Sequence, residues 1–327
     1  MLRVKLSQAT HKGKAVMEFQ AETLSSPSGA SLAWRRLAAK GEARATVQIH
    51  HGLSEHAARY ERFARHLAGR GFNVVAHDHR GHGATTADDA PAGVFASSKG
   101  WAAVIDDAQA VETAARQHFG SLPHIVFGHS MGGVIAMNHA QERKGEIAGL
   151  AIWNANLALG SRTNLMRTVL GLEGLFKKTT APSTWMDALA FKAWGKQVKG
   201  ARTDFDWLSR IPEEVDAYIN DPLCGAPASI SLWRDFIELV ERGSDENRTR
   251  MMRLDLPIHM AAGGEDPATD RGEAMDTLKA RLYNARFIDA TMRFDPKGRH
   301  ETLNDEGYEQ AMDDFADWAE RVAAQAG

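Results

Sequence analysis

Apolar and polar positions along the chain alternate between two rhythms. Short apolar runs, several of them closed by glycine, read as buried strands: ATVQIHHG up to Gly52, FNVVAHDHRGHG, PHIVFGHS and IAGLAIWNA. Between them lie segments with helical spacing. These are 55–69, where Tyr60, Phe63 and Leu67 recur before Gly69, then 101–118, then MGGVIAMNHAQERKG. Ahead of them, Met17 to Ala39 reads as two strands around the turn SSPSG, the second being SLAWRRLA. Strands alternating with helices predict a parallel sheet covered by helices on both faces.

The alternation stops after Asn156. From 157 to 253 the chain has helix-like segments, no convincing core strand, and four of its eight tryptophans, Trp185, Trp194, Trp207 and Trp233. It resumes with LPIHMAAGGEDP, the helix RGEAMDTLKARL, the strand ARFIDATM, a loop through His300 and a last helix, GYEQAMDDFADWAERVAAQ. The pattern predicts an N-terminal extension over 1–20, one α/β core over 21–156 and 254–327, and a helical lid over 157–253 inserted in that core.

Composition narrows the classes. With 327 residues the chain can bury a large core, and 43% hydrophobic and 25% charged residues are ordinary for a soluble globular protein. A formal charge of −3 with no dense Lys/Arg cluster offers no field for nucleic acid. Cys224 is the only cysteine, which excludes an internal disulfide and a cysteine-rich zinc site. MLRVKLSQATHKGKAV lacks the apolar stretch of a secretory signal, and no apolar run approaches the roughly 20 residues that span a bilayer. A cytoplasmic protein is expected, or one peripheral at a membrane.

Candidate chemistry centres on Gly128-His129-Ser130-Met131-Gly132, a G-x-S-x-G pentapeptide. Two readings of Ser130 fit the local sequence: an activated nucleophile, or a helix cap where a strand turns into a helix. A nucleophile needs a base, and the base an orienting acid, in the order Ser…Asp/Glu…His on loops after the last strands. GGEDPATD offers Glu265, Asp266 and Asp270. Asp266, just past the strand and before a proline, is preferred, with Glu265 the runner-up. In FDPKGRHETLN, His300 is the only histidine after His259. An oxyanion hole needs two backbone N–H groups, expected from Met131 and from Leu53 in the loop after the earlier strand, IHHGLSEH.

HGLSEHAARY (51–60), HDHRGHG (77–83) and GHSMGG (128–133) resemble the HGxGEHxxRY, D-x-R-G-H-G and G-H-S-M-G-G motifs of the monoacylglycerol lipase and lysophospholipase group of α/β-hydrolases, the serine aminopeptidase S33-like set. The likeness covers roughly 30–155 and 255–325. It implies the α/β-hydrolase fold, a Ser130–Asp266–His300 triad, and oxyanion donors at Leu53 and Met131. It also implies that Glu55 and Arg59 line or brace the polar end of a pocket; as a buried ion pair they would hold the loop instead. Ser54 departs from the group's usual glycine and would stiffen that loop.

Other readings compete. His77, His79 and His82 have the H-x-H-x-x-H spacing of metallo-β-lactamase-type hydrolases, but Gly81 stands where that motif has aspartate. The alternative is a loop that Asp78 and Arg80 pin beneath the site. In NLMRTVLGLEGLFKK, Leu165, Val169, Leu172 and Phe176 fall on one helical face, ahead of Lys177 and Lys178. That face either touches a membrane or micelle and admits an acyl chain, or packs on the core. Trp185, Trp194 and Phe191 are candidates to line an acyl tunnel. The expectation is a serine hydrolase of carboxylic esters, with monoacylglycerols or lysophospholipids as substrates and no metal or organic cofactor. An aminopeptidase, an acyltransferase and a non-catalytic binding protein are the alternatives.

Overall fold

The computed structural model describes residues 19–143 and 146–326. Eight strands form one sheet: β1 (Ala21–Ser25), β2 (Ser31–Leu37), β3 (Ala45–His50), β4 (Phe72–His77), β5 (His124–His129), β6 (Gly149–Trp153), β7 (Ile258–Gly263) and β8 (Ala290–Asp295). Their order is β1-β2-β4-β3-β5-β6-β7-β8. The β1–β2 and β2–β4 pairs are antiparallel, and all later pairs are parallel. Chain order reverses at β3, between β4 and β5, and in open α/β sheets ligands bind beyond the carboxyl ends of the strands at such a point.

Side chains alternate across the sheet as strand geometry dictates. From β5, Ile125 and Phe127 join Phe63 and Leu67 of α1 (Glu61–Gly69) and Phe315 of α11 (Tyr308–Ala326). Val126 points the other way, to the layer that holds Val134 and Met137 of α3 (Met131–Glu142). α2 (Gly100–Phe119) and α10 (Glu273–Asn284) complete the layers. Phe19, expected in the extension, is buried among the α11 layer; residues 1–18 of that extension lie outside the described residues.

Between β6 and β7 run α4 (Arg162–Glu173), α5 (Thr184–Leu189), α6 (Phe191–Gly195), α7 (Pro212–Asn220), α8 (Ile230–Gly243) and α9 (Glu246–Arg250). Serines start two of them: Ser183 Oγ accepts the N–H of Met186 and Ser229 Oγ that of Leu232. Ile230, Leu232, Ile237 and Val240 of α8 belong to the same apolar cluster as α3, so the insertion shares the core's packing.

Three expectations shift. Glu55 and His56 are loop; a 3₁₀ turn at Ala57–Tyr60 precedes α1. The last strand begins at Ala290, five residues later than ARFIDATM suggested. Its apolar start closes α10 instead: Arg286 is left-handed (φ 69°) and the Phe287 N–H donates to the Leu282 carbonyl, burying Phe287. Finally, α4 stops at Glu173, so Phe176 lies beyond it, and Val169 turns partly inward while Leu165 and Leu172 face solvent.

Candidate active site

Ser130 sits between β5 and α3 in a conformation few residues adopt, φ 55° and ψ −122°. The turn is held by the Ser130 N–H on the Trp153 carbonyl at 2.9 Å. Glycine is required beside it: a Cβ on Gly132 would lie 2.1 Å from the His50 carbonyl oxygen, and one on Gly128 would lie 2.0 Å from that of Gly132. Such backbone strain persists only where the surroundings impose it.

The loops after β7 and β8 bring the other expected residues to Ser130. Its Oγ lies 2.9 Å from His300 Nε2, and His300 Nδ1 lies 3.0 and 2.9 Å from the two carboxylate oxygens of Asp266. Asp266 is fully buried. Burial opposes its ionisation, but His300, Asn154 and Thr269 outweigh it and hold the carboxyl below its ordinary value. An ionised Asp266 fixes the proton on Nδ1 and leaves the Nε2 lone pair facing the hydroxyl, the arrangement needed to take a proton from it. Glu265, the runner-up, donates its backbone N–H to the Gly298 carbonyl, whereas both carboxylate oxygens of Asp266 face His300 Nδ1.

On the β3 side, Gly52, Leu53, Ser130 and Met131 line one recess. No acceptor among the described residues takes the N–H of Leu53 or of Met131. The loop is held from below by Glu55, whose Oε1 accepts the Gly52 N–H at 2.6 Å and the Tyr60 hydroxyl at 2.8 Å. Arg59 donates to Glu55 Oε2 at 2.6 Å and to both oxygens of Glu301 at 2.6 and 2.7 Å. Burial would raise the Glu55 carboxyl, yet Arg59 and His129 hold it well below the usual range. Burial lowers His129, but Glu55 outweighs it and the imidazole is raised, with Nε2–H donating to the His300 carbonyl at 2.9 Å. Glu55 therefore lines the recess, whereas Arg59 braces it from behind.

The insertion grips both reactive loops. Ser54, at φ 60°, donates its hydroxyl to the Ala226 carbonyl at 2.7 Å, and its own carbonyl accepts from Gly225 N–H and the Tyr218 hydroxyl. The N–H groups of His300 and Glu301 donate to the carbonyls of Trp207 and Leu208 at 3.2 and 2.8 Å.

Two unlike spaces flank Ser130. A cavity of about 240 Å³ is lined mainly by apolar groups, among them Leu159, Met166, Met186, Leu189 and Trp194. A smaller recess of about 60 Å³ shares Trp194, Trp233 and Phe236 with it and is also lined by Glu55, His129, Tyr218 and Glu301. Phe191 and Trp194 line these spaces with Trp207 and Trp233; Trp185 faces solvent instead.

Sequence reading missed His129, Asn154, Thr269, Tyr218 and Glu301. Asn154, left-handed at φ 47°, donates to Asp266 at 3.1 Å, and Thr269 donates to it at 2.9 Å. A polar residue directly after a buried strand, as in AIWNAN, was the available signal for Asn154. Asp78 and Arg80 are buried pins: Asp78 accepts the N–H groups of Ala57 and Ala84, and Arg80 donates to the Phe95 carbonyl.

Residues 41–307 match the family described as serine aminopeptidase, S33. The human monoglyceride lipase is 27% identical over 298 residues, 88% of this chain and 86% of that protein. The monoacylglycerol lipase of Mycolicibacterium smegmatis is 26% identical over 280 residues, 84% of this chain and 88% of that one. Among solved structures, a thermostable carboxyl esterase from Bacillus coagulans superposes with a TM-score of 0.81 over 94% of this chain and 100% of that one. At 22% identity that likeness is one of fold.

Proposed function

The chain belongs to the serine aminopeptidase S33 family and has the α/β-hydrolase fold, and from that premise we propose that it hydrolyses carboxylic esters through an acyl-enzyme on Ser130. Monoacylglycerols or lysophospholipids are the proposed substrates. The observation that carries this reading is the hydrogen-bonded Ser130–His300–Asp266 chain at the junction of an apolar cavity and a smaller recess in which Glu55, His129, Tyr218 and Glu301 stand among aromatic groups. An amphiphile with one acyl chain and one small alcohol can place its chain in the first and its alcohol in the second.

Ser130 Oγ attacks the ester carbonyl while His300 Nε2 takes its proton, and ionised Asp266 stabilises the imidazolium. The negative charge that develops on the carbonyl oxygen meets the N–H groups of Leu53 and Met131 at the start of α3. His300 then protonates the leaving alcohol, the acyl-enzyme forms, and water activated by His300 releases the acid.

Leu165 and Leu189 line the apolar cavity and are exposed, and just past the end of α4 Leu175 and Phe176 are 75% and 81% exposed, followed by Lys177 and Lys178. Exposed apolar groups on the element that lines the cavity support entry from a lipid surface, with the insertion acting as a lid. Among the described residues no helix is long and apolar enough to cross a membrane. An aminopeptidase would need a carboxylate free to hold the substrate amine. Both oxygens of Glu55 and of Glu301 are already engaged by protein donors, which favours the ester reading.

The test is a turnover panel of monoacylglycerols, lysophosphatidylcholine, short p-nitrophenyl esters and aminoacyl amides, with fluorophosphonate labelling. Ser130→Ala should lower kcat by on the order of 10⁶ and abolish labelling, with the melting temperature retained. Most of the activity surviving in Ser130→Ala, or activity confined to the amides, would overturn the assignment.

A further inference from the structure

Behind the Gly52–Leu53 loop, six histidines are packed together: His50, His51, His77, His79, His82 and His139, all buried. Ester hydrolysis as proposed uses none of them. Three are satisfied by hydrogen bonds. His51 donates from Nδ1 to the Gly52 carbonyl at 2.7 Å and accepts the His79 backbone N–H on Nε2 at 2.9 Å. His82 donates from Nδ1 to the Arg80 carbonyl at 3.0 Å. His139 donates from Nε2 to Glu112 at 3.0 Å, so its Nδ1 is an acceptor and His50 Nε2, 3.4 Å away, is the donor that faces it.

That tautomer leaves the lone pair of His50 on Nδ1, which has no partner among the described residues. Neither nitrogen of His77 or His79 has one either. One nitrogen from each of the three rings lies within 4.8 Å of the other two. The ring centroids are 5.8 Å apart for His50 and His77, 5.5 Å for His50 and His79, and 4.7 Å for His77 and His79. Three imidazoles that bind one tetrahedral ion at about 2.0–2.1 Å per nitrogen have ring centres roughly 5 Å apart.

We propose that His50, His77 and His79 form a buried structural site for a late first-row divalent metal ion, zinc foremost, which ties the carboxyl ends of β3 and β4 together. All three rings are fully buried, which disfavours the charged imidazolium and leaves their lone pairs available to an ion. Three imidazoles without a carboxylate suit zinc, nickel or copper, not magnesium or calcium. The Glu112–His139–His50 chain orients the first ligand as outer-shell carboxylates do in metal sites. Spacing along the sequence pointed to His77, His79 and His82; in the fold His82 is turned to Arg80 and His50, from the adjoining strand, takes the third place. The ion would not touch substrate. Through the His79–His51–Gly52 hydrogen bonds it would stiffen the loop that carries Leu53.

The test reads metal content and is independent of the ester substrate. A Cys224→Ser parent removes the other group whose donor atoms lie within 4.8 Å, His56, Asp221 and Cys224. Protein produced in zinc- or cobalt-supplemented medium is dialysed against a chelator and assayed by plasma mass spectrometry, visible absorption and X-ray absorption. The parent should retain about one ion per chain, bound by three imidazole nitrogens at about 2.0–2.1 Å, with the intense cobalt(II) spectrum of a tetrahedral site. His50→Gln and His79→Gln should each reduce retained metal at least about tenfold, while His124→Gln, another buried histidine, should not. A folded parent without metal, which would mean an ordered water among the rings, overturns the proposal. So does metal retained by both variants. If the variants fail to fold, the ligand count in the parent decides, and fewer than three imidazoles overturns it.

Discussion

The two sides of Ser130 are built on opposite principles. Towards Met186 and Leu159 the wall is largely apolar, draws most of its apolar side chains from the insertion, and includes two exposed leucines. Towards Glu55 and Glu301, aromatic side chains share the wall with two carboxyl groups whose partners come from the loop and 3₁₀ turn after β3 and from the end of β5. Apolar walls tolerate changes of shape at modest cost, whereas removing one partner of a buried charge network leaves another uncompensated. The first side is suited to select among substrates and the second to hold the reacting loops still.

Acid should break this comparison on the polar side, with the largest effect. His82, behind the Gly52–Leu53 loop, is pushed down to about 4, by burial first and by His51 second. Its folded value lies below the unfolded value near 6.5. Its contribution is therefore full above pH 6.5 and is lost as pH falls towards 4, because the unfolded chain takes up the proton first. It loses about 1.4 kcal/mol per pH unit in that window. Thermal melts from pH 8 to 4.5 should show the melting temperature falling below pH 6.5; a flat profile down to pH 5 would contradict a neutral, buried ring.

Glu55→Gln is expected next. It keeps the shape but weakens the acceptor for Gly52 N–H and removes the charge that faces Arg59 and His129. The kcat should fall by about 10² for short and long esters alike, the scale of a lost oxyanion donor. A loss confined to long chains would dissolve the distinction between the two sides. Met186→Trp, filling the apolar cavity, should do the reverse: kcat/KM for long-chain monoacylglycerols drops by roughly 10–100-fold while short p-nitrophenyl esters are little changed. A chain-length series in steady state checks both. The smallest effect is expected from Leu175→Ser with Phe176→Ser. Sedimentation with phosphatidylcholine vesicles should weaken about three- to tenfold, in keeping with the loss of two apolar contacts, and hydrolysis of soluble esters should stay as it was. Undiminished vesicle binding would remove the support for a lipid-facing patch.

Much of this was legible in the sequence where a short segment decides its own structure. The strand, glycine and helix around Ser130 are contiguous, and Asp266 and His300 follow the ends of β7 and β8, so order along the chain was enough to bring them forward. What was not legible depends on partners far away. Glu301 is 242 residues from the Arg59 it grips, and no local pattern marks it. His129 reads as the variable position of a pentapeptide until its ring is seen between Glu55 and the His300 carbonyl. The ARFI segment shows the converse failure: apolar residues suited to a strand were spent on closing α10, because Phe287 finds burial there and the edge strand β8 is only partly covered. Likewise the apolar spacing of 165–176 ran past the end of α4, where Glu173 is buried and bound by Lys177, Ser183 and Thr184.

One contact limits how freely such a protein can be rebuilt from parts. Ser54, in the loop that carries Leu53, is bonded through hydroxyl and carbonyl to Ala226, Gly225 and Tyr218, while Trp207 and Leu208 hold the His300 loop. The insertion is thus a keystone for both loops. A chimera that borrows another relative's insertion to change substrate range would keep its turnover only if the 207–226 segment travelled with the matching residue at position 54, so the two must be inherited as one unit.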